Sequence, residues 1–220
     1  MKNILLSLIL LLSTASLSNA VFAEPKPGQD FDAVAQVIPT ENPAKIEVME
    51  IFWYGCDHCY QMETPLKVWL KKIPADVNFK RMPGLPGAAW APMAKAYFTM
   101  ESLGIEDKLH HSLFEAVHKH KTLNPKDEKA TLAWLTNKSG LDRAKVESTF
   151  NSFTVNTNLK RAAQVFRASG ATGVPSLIVD GKYITSGTMA GGNAKALEVV
   201  NYIVKNVRAT RAKAAKPVKK

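Results

Sequence analysis

The sequence predicts an α/β domain that is interrupted by an all-helical insertion. Three observations indicate this: a strand, a helix and a second strand are predicted over residues 45–82, only helical patterns follow over 88–169, and strand patterns return at 174–184. Strand–helix–strand units build parallel sheets with a right-handed crossover. We therefore expect residues 24–87 and 170–207 to form one domain around a helical insertion at 88–169.

The first half of the domain has a clear pattern. The segment KIEVMEIFW, residues 45–53, is rich in apolar and β-branched residues, which is typical of a buried strand. Apolar residues then recur at a spacing of three and four, which predicts an amphipathic helix from about Cys56 to Lys72. The segment VNFKRM, residues 77–82, predicts a second short strand.

The insertion contains only helical patterns. Asn124 followed by Pro125 predicts the start of one helix and Gly140 its end, while Gly170 is expected to end the last helix of the insertion. The α/β pattern then returns as VPSLIVDGKYI, residues 174–184, in which Asp180-Gly181 predicts the turn of a β-hairpin. Apolar residues from Leu197 to Val207 predict a closing helix.

The N-terminus predicts an exported protein. Residues 1–23 show a lysine, an apolar run from Ile4 to Leu12 and small residues before a cut that we expect after Ala23, with Ala20 as the second choice. A membrane anchor is the alternative, but the run is far shorter than the roughly 20 apolar residues that span a bilayer. We therefore expect a periplasmic protein, in a compartment where disulfides persist.

The C-terminus is strongly basic. The formal net charge is +10, and six basic residues fall within residues 208–220 with no acidic residue among them. Such a composition predicts a solvated, disordered tail, and the alternative is loose attraction to an anionic membrane or cell-wall polymer. We expect no binding of nucleic acid, because no recognition motif accompanies the charge.

Both cysteines of the chain lie in FWYGCDHCYQ, residues 52–61. Haem attachment would need a histidine after the second cysteine, where Tyr60 stands. A metal site would need further ligands, and we interpret the four histidines of the insertion as an exposed polar helix face, so no metal is expected. The four are His110, His111, His118 and His120. A purely structural disulfide would stabilise little, because the loop it closes is very short.

Redox chemistry suits the position of the pair better. Cys56 follows a predicted strand and opens a predicted helix, where free backbone N–H groups and the helix dipole favour a thiolate. Cys59 lies one turn further and should be shielded, so we expect Cys56 to be the attacking and leaving sulfur and Cys59 to resolve the mixed disulfide. His58, as a cation, would further stabilise the Cys56 thiolate. These residues predict a Cys56–Cys59 disulfide that oxidises other proteins' thiols.

The chain resembles the DsbA family of bacterial periplasmic thiol:disulfide oxidoreductases over nearly all of its mature length. The resemblance is carried by FWYGCDHCYQ, by the size of the insertion, and by SLGIEDK at 102–108, NSF at 151–153 and TGVPSLIVDGKY at 172–183. It implies a thioredoxin fold with an inserted helical domain and a cis bond at Val174-Pro175 beside the active disulfide. Members of this family are themselves known examples of a strongly lowered cysteine pKa and a strong oxidant, so those properties are implied by the resemblance. It also implies reoxidation by a quinone-linked inner-membrane partner of the DsbB type.

Three charged residues are compared with the family's pattern. Glu50 matches a buried acid beneath the active site and Arg81 a position usually held by lysine; the two either tune proton transfer or form an ordinary structural ion pair. Asp57 departs from the pattern, because the best-known members have proline there. Its carboxylate opposes the Cys56 thiolate by about 1 kcal/mol. We expect a higher Cys56 pKa and a less oxidising disulfide than with proline.

Substrates are expected to be reduced, unfolded exported proteins. They would lie against apolar surface at Trp53 and Met62 and at the loop of Gly173, Val174 and Pro175. We expect no cofactor, and a monomer, because residues 24–44 leave no room for the dimerisation domain of dimeric isomerases. The alternatives are a disulfide reductase or isomerase of the same fold, or a non-catalytic peptide-binding or metal-carrying protein.

Overall fold

The computed structural model describes residues 24–214, so the expected signal peptide and the last six residues lie outside the described part. Within it, five strands form one mixed sheet in the order β1-β5-β4-β2-β3. The strands are β1 (Asp32–Ala33), β2 (Ile46–Phe52), β3 (Val77–Pro83), β4 (Ser176–Val179) and β5 (Tyr183–Ser186). The expected return of strands after the insertion is confirmed.

Helix α1 connects the first two long strands, and most of the other helices lie between β3 and β4. The helices are α1 (Asp57–Leu70), α2 (Ala91–Ser102), α3 (Glu106–His118), α4 (Glu128–Ser139), α5 (Arg143–Phe150), α6 (Phe153–Ser169), α7 (Gly187–Ala190) and α8 (Asn193–Ala214). A short 3₁₀ helix, Ala88–Trp90, precedes α2. Over residues 24–214, no helix combines the length and the apolar character that crossing a membrane requires.

Strand β2 is an inner strand of the sheet, between β4 and β3. It pairs with β3 in parallel, as the α1 crossover requires, and with β4 antiparallel. All seven of its residues are buried. Ile46 and Val48 pack into a core with α1 and α8, whereas Met49 and Ile51 pack into the core shared with the insertion. Burial on both faces explains why five of the seven residues of β2 are apolar.

The hairpin between β4 and β5 turns where the sequence predicts it. Asp180 and Gly181 both have positive φ, 55° and 63°, which is the conformation of a two-residue hairpin turn. A Cβ at Gly181 would lie 1.8 Å from the Ile38 carbonyl oxygen. Only glycine fits this position, because it combines a left-handed backbone with a close approach of another segment.

One helix start in the insertion was wrongly predicted. Helix α4 begins at Glu128, and its N-cap is Asp127, whose carboxylate accepts from the Ala130 N–H at 2.9 Å. Asn124 instead accepts from the Lys126 N–H in a turn before the helix. Asn124 and Asp127 are both residue types that favour a helix N-cap, and only the fold decides between them. The end of α4 at Gly140 and of α6 at Gly170 is confirmed, each with φ near 70°.

The prediction of a disordered tail from residue 208 was wrong for its first half. Helix α8 continues to Ala214. Arg208 donates two hydrogen bonds to Asp76, at 2.7 and 2.9 Å, and Arg211 bonds Asp180 and the Pro43 carbonyl oxygen. The acidic partners come from distant parts of the chain, which a local count of charges does not see.

Candidate active site

The cysteine pair lies at the junction of β2 and α1. Cys56 is the N-cap of α1, and Cys59 lies one turn inside the helix. Between strand and helix, the backbone turns at Gly55, where a Cβ would come within 2.6 Å of the Trp53 ring. Glycine therefore lets Trp53 fold over the turn that presents Cys56.

The two thiols have opposite environments. A hydrogen bond from the Cys59 thiol lowers the pKa of Cys56 to about 6, aided by the N–H groups of Cys59 and His58 and by the charge of His58, and against partial burial. Cys59 is fully buried. Burial, and then the hydrogen bond and charge of Cys56, raise the pKa of Cys59 well above its usual value. Both cysteines are free thiols in this structure.

The loop before β4 completes the rim of the site. The Val174-Pro175 bond is cis, as the resemblance implied. The Cys56 Sγ lies 3.3 Å from the Val174 carbonyl oxygen, to which the thiol donates. Gly173 is exposed, Val174 is half-buried and Pro175 is buried. The loop therefore presents backbone and the Val174 side chain beside the reactive sulfur.

The two residues between the cysteines, Asp57 and His58, are both exposed. The His58 carbonyl oxygen accepts from the Asn193 side-chain amide at 3.1 Å, which ties α8 to the start of α1. The Asp57 carboxylate accepts from the Gln61 side-chain amide at 2.6 Å. The expected opposition of Asp57 to the Cys56 thiolate stays a prediction.

Beneath the cysteines, the sheet register brings Glu50 opposite Arg81. Burial raises the pKa of Glu50 to about 8, even though the Arg81 Nε lies 3.4 Å from its Oε2. Arg81 is also 3.4 Å from Glu63 and 3.6 Å from Glu106, so one cation serves three carboxylates. The pairing is as expected, and its effect on the redox chemistry stays a prediction.

The sequence did not reveal the residues that surround this pair. His110 is buried, and its Nδ1 accepts from the Tyr54 hydroxyl at 2.7 Å while its Nε2–H donates to Glu63 at 3.2 Å. The interpretation of the insertion's histidines as an exposed face was therefore wrong for His110, and also for His118, whose side chain is only 12% exposed. Glu63 could have been found, because it lies four residues after Cys59 on the same helix face.

Met62 was wrongly assigned to the substrate surface. Its side chain is completely buried in the core beneath α1, together with Leu66. In the helix, position 62 faces the sheet, so its apolar character reflects core packing. Trp53 remains half-exposed and stacks on Trp90, with ring centroids 4.3 Å apart.

An open groove of about 950 Å³ begins at the active site. It is lined by His58 and Gln61 of α1, by residues 169–176 before and into β4, and by residues 186–189 after β5. Over residues 24–214, no cluster of three or more His, Cys, Asp or Glu side chains could hold a metal ion.

Comparison with known proteins identifies the family. The model of the DSBA-like thioredoxin domain matches residues 61–203. The chain is 36% identical over 214 residues to the thiol:disulfide interchange protein DsbA of Pseudomonas aeruginosa, covering 97% of this chain and all of that protein. The chain belongs to the DsbA family.

Other DsbA proteins agree with this assignment. The DsbA of Pseudomonas syringae pv. tomato is 35% identical over 218 residues, covering 98% of this chain and all of that protein. The crystal structure of Pseudomonas aeruginosa DsbA is similar with a TM-score of 0.79 at 35% identity, covering 86% of this chain and 97% of that chain. The crystal structure of oxidoreductase DsbA from Xylella fastidiosa is similar with a TM-score of 0.77 at 26% identity, covering 85% of this chain and 100% of that chain. As a DsbA-family member, the protein is a thiol:disulfide oxidoreductase with a thioredoxin fold and a helical insertion.

Proposed function

We propose that this protein is a periplasmic oxidase that donates a Cys56–Cys59 disulfide to newly exported proteins. The observation that carries the proposal is the asymmetry of the two thiols. The pKa of half-buried Cys56 is lowered to about 6, whereas that of buried Cys59 is raised. A stabilised Cys56 thiolate favours the reduced form, and therefore makes the disulfide a strong acceptor of electrons.

The transfer begins with attack of a substrate thiolate on the Cys56 Sγ. The electron pair of the disulfide bond leaves on Cys59, which takes up a proton, and a mixed disulfide forms between Cys56 and the substrate. A second substrate thiolate then attacks the substrate sulfur, and Cys56 leaves as a thiolate. The substrate is oxidised by two electrons to its disulfide, and the Cys56–Cys59 pair is reduced.

Glu50 is suited to manage the proton that Cys59 takes up. Its pKa of about 8 keeps it largely protonated at neutral pH, and its charge is among the influences that raise the Cys59 pKa. Loss of the Glu50 proton would be favoured by Arg81, 3.4 Å away. We assign proton donation to Glu50, with Arg81 stabilising the carboxylate that results.

The substrate chain would lie in the groove lined by His58 and Val174, which are close to Cys56. Gly173 and Val174 offer exposed backbone and apolar surface next to Cys56, and Trp53 adds a half-exposed ring three residues before Cys56. Pro175 is buried and acts by shaping the loop. Apolar burial is non-directional, so such a surface suits unfolded chains of varied sequence.

Export and recycling complete the proposal. The sequence pattern of residues 1–23 supports cleavage after Ala23 and release into the periplasm. The reduced protein would be reoxidised by a quinone-linked inner-membrane partner of the DsbB type, and it would act as a monomer. Family membership supports these assignments.

The deciding experiment is an equilibrium titration of the purified mature protein against glutathione at neutral pH. The proposal expects a disulfide far more oxidising than that of thioredoxin, whose potential is about −270 mV. A potential near the thioredoxin value would favour a reductase, and would contradict the oxidase assignment.

Two cysteine variants separate catalysis from binding. Cys59→Ser should accumulate mixed disulfides when it is mixed with an unfolded protein that carries a disulfide, because its Cys56 thiolate attacks that disulfide and releases one substrate thiolate. Cys56→Ser should accumulate none. Mass spectrometry of the adducts measures this. If Cys56→Ser retained full activity towards unfolded proteins, the chain would be a peptide-holding protein instead.

A further inference from the structure

Asp57 places a carboxylate beside the reactive cysteine, Cys56. Its carboxylate is next in sequence to a thiol whose pKa is lowered to about 6. A negative charge so close should oppose the thiolate. A group that offsets the Asp57 charge would therefore favour the Cys56 thiolate.

Both carboxylate oxygens of Asp57 face a partner. Oδ2 accepts from the Gln61 side-chain amide at 2.6 Å, one helical turn further along α1. Oδ1 lies 3.8 Å from Nδ1 of His118, which belongs to α3 in the helical insertion. Gln61 is neutral, so His118 is the partner that can carry a compensating charge.

The ring of His118 is held in a fixed orientation. Its Nε2–H donates to the Tyr54 carbonyl oxygen at 2.7 Å, two residues before Cys56. The ring also stacks on Tyr60, with centroids 5.2 Å apart and an angle of 9° between the planes. A carbonyl oxygen only accepts, so Nε2 carries the proton and Nδ1 is the atom turned to Asp57. A second proton on Nδ1 makes the ring a cation opposite the carboxylate.

The other charged groups near His118 interact with partners other than Asp57. On α3, Glu115 pairs with Lys119 at 2.7 Å and lies 3.9 Å from His111. From α1, His58 is a second potential cation near Cys56 and contributes to its lowered pKa. Among the ion pairs of the described residues, the one made by His118 is with Asp57.

We propose that His118 is a positioning residue of the active site, which binds the Asp57 carboxylate and offsets its charge beside Cys56. The proposal rests on the proposed redox role of Cys56. It assigns a function in the reaction to a histidine of the insertion, some sixty residues away in sequence, and it makes the insertion part of what sets the redox properties of the cysteine pair.

The test is a titration of the Cys56 thiolate, followed by its ultraviolet absorbance, in the reduced full-length mature protein. The variants are Asp57→Asn, His118→Gln and the double variant. Glutamine retains an amide N–H for the Tyr54 carbonyl but loses the cation and the ring that stacks on Tyr60, and the Asp57→Asn background separates these two losses. His120→Gln is the matched control, because His120 is an exposed histidine two residues further along.

We expect His118→Gln to raise the Cys56 pKa by about 0.5 unit or more, roughly a threefold change in its ionisation constant. The glutathione equilibrium should shift towards a less oxidising disulfide by a similar factor. His120→Gln should change neither, and His118→Gln should have much less effect in the Asp57→Asn background. A purely structural role of His118 would alter stability but would not depend on the charge at position 57.

Three results would overturn the proposal. The first is a Cys56 pKa in His118→Gln equal to that of the control. The second is a shift of the same size whether position 57 carries aspartate or asparagine. The third is a fall of the Cys56 pKa by about 0.5 unit or more in Asp57→Asn alone, since that would show an uncompensated carboxylate; this variant changes an exposed side chain and does not depend on the folding of His118→Gln. If Cys56 of the unmodified protein titrated as an ordinary thiol, the proposed function itself would fail.

Discussion

Glu50 and Arg81 lie directly opposite each other in the parallel pairing of β2 and β3, with the Glu50 Oε2 3.4 Å from the Arg81 Nε. Glu50 lies on an inner strand and is only 1% exposed, whereas Arg81 lies on the edge strand β3. Arg81 also faces Glu63 and Glu106, so its charge does not fully compensate any one of them. A buried acid in this situation retains its proton to an unusually high pH.

We expect Glu50→Gln to change the pH dependence of stability. The pKa of Glu50 is raised from 4.5 to about 8 in the folded state. The contribution of protonated Glu50 to the free energy of unfolding is therefore fully present below pH 4.5 and is lost as the pH rises towards 8. In that interval, the unmodified protein should lose about 1.4 kcal/mol per pH unit relative to the variant. Denaturant unfolding of both proteins at several pH values measures the difference.

Glu63→Gln is the matched control for this experiment. Burial alone would raise the pKa of Glu63, but the hydrogen bond from His110 and the charge of Arg81 lower it on balance. Glu63 therefore contributes to the free energy of unfolding above pH 4.5, and this contribution is lost as the pH falls below that value. The pH dependence is opposite in sign to that of Glu50. Parallel stability curves for Glu50→Gln and the unmodified protein between pH 4.5 and 8 would contradict the assignment of a protonated Glu50.

The stability of the reduced form relative to the oxidised form should depend on pH. The Cys56 pKa falls from 9.0 to about 6 on folding, and the oxidised form has no such thiol. The Cys56 thiolate therefore adds to the free energy of unfolding of the reduced form at pH 9, and this contribution is lost as the pH falls towards 6. Thermal unfolding of both forms across this range measures it. A difference that does not vary with pH would contradict a stabilised Cys56 thiolate.

Met62→Ala is expected to act on stability and not on substrate transfer. Met62 is completely buried, so its truncation should cost about 2–5 kcal/mol through lost contacts and a cavity. Val68→Ala, on the same helix at a residue that is 53% exposed, should change stability by less than about 0.5 kcal/mol. If Met62→Ala left stability unchanged and slowed oxidation of substrates, the sequence-based assignment of Met62 to the substrate surface would be correct.

Arg211→Ala should destabilise the protein although it lies in the basic C-terminal segment. Its partner Asp180 has a side chain only 2% exposed and would keep its ion pair with Lys182. Loss of a partner from a buried carboxylate costs about 1–3 kcal/mol. Lys213→Ala, at an exposed position two residues further along, is the control. Equal midpoints of denaturant unfolding for the two variants would show that the Arg211 contacts contribute nothing to stability.

The sequence predicted most of the backbone plan because its signals are local. The apolar run of β2, the Asp180-Gly181 turn and the Gly140 and Gly170 helix ends each depend on residues close to one another in the chain. The start of α4 was missed because two local capping signals compete there, and Asp127 prevails over Asn124 only in the folded insertion.

Within the site, the sequence by itself determined the cysteine pair, its place at the start of a helix and its redox character. Only the tertiary structure decided which side chains surround it. His110 and His118 come from α3, and Met62 turns to the core, because burial depends on which helix face meets the sheet. The groups that lower the pKa of Cys56, at Cys59 and His58, belong to the same local sequence. The charges that act on Glu50 are instead brought together by packing between distant segments, because electrostatic interactions act through space and not along the chain.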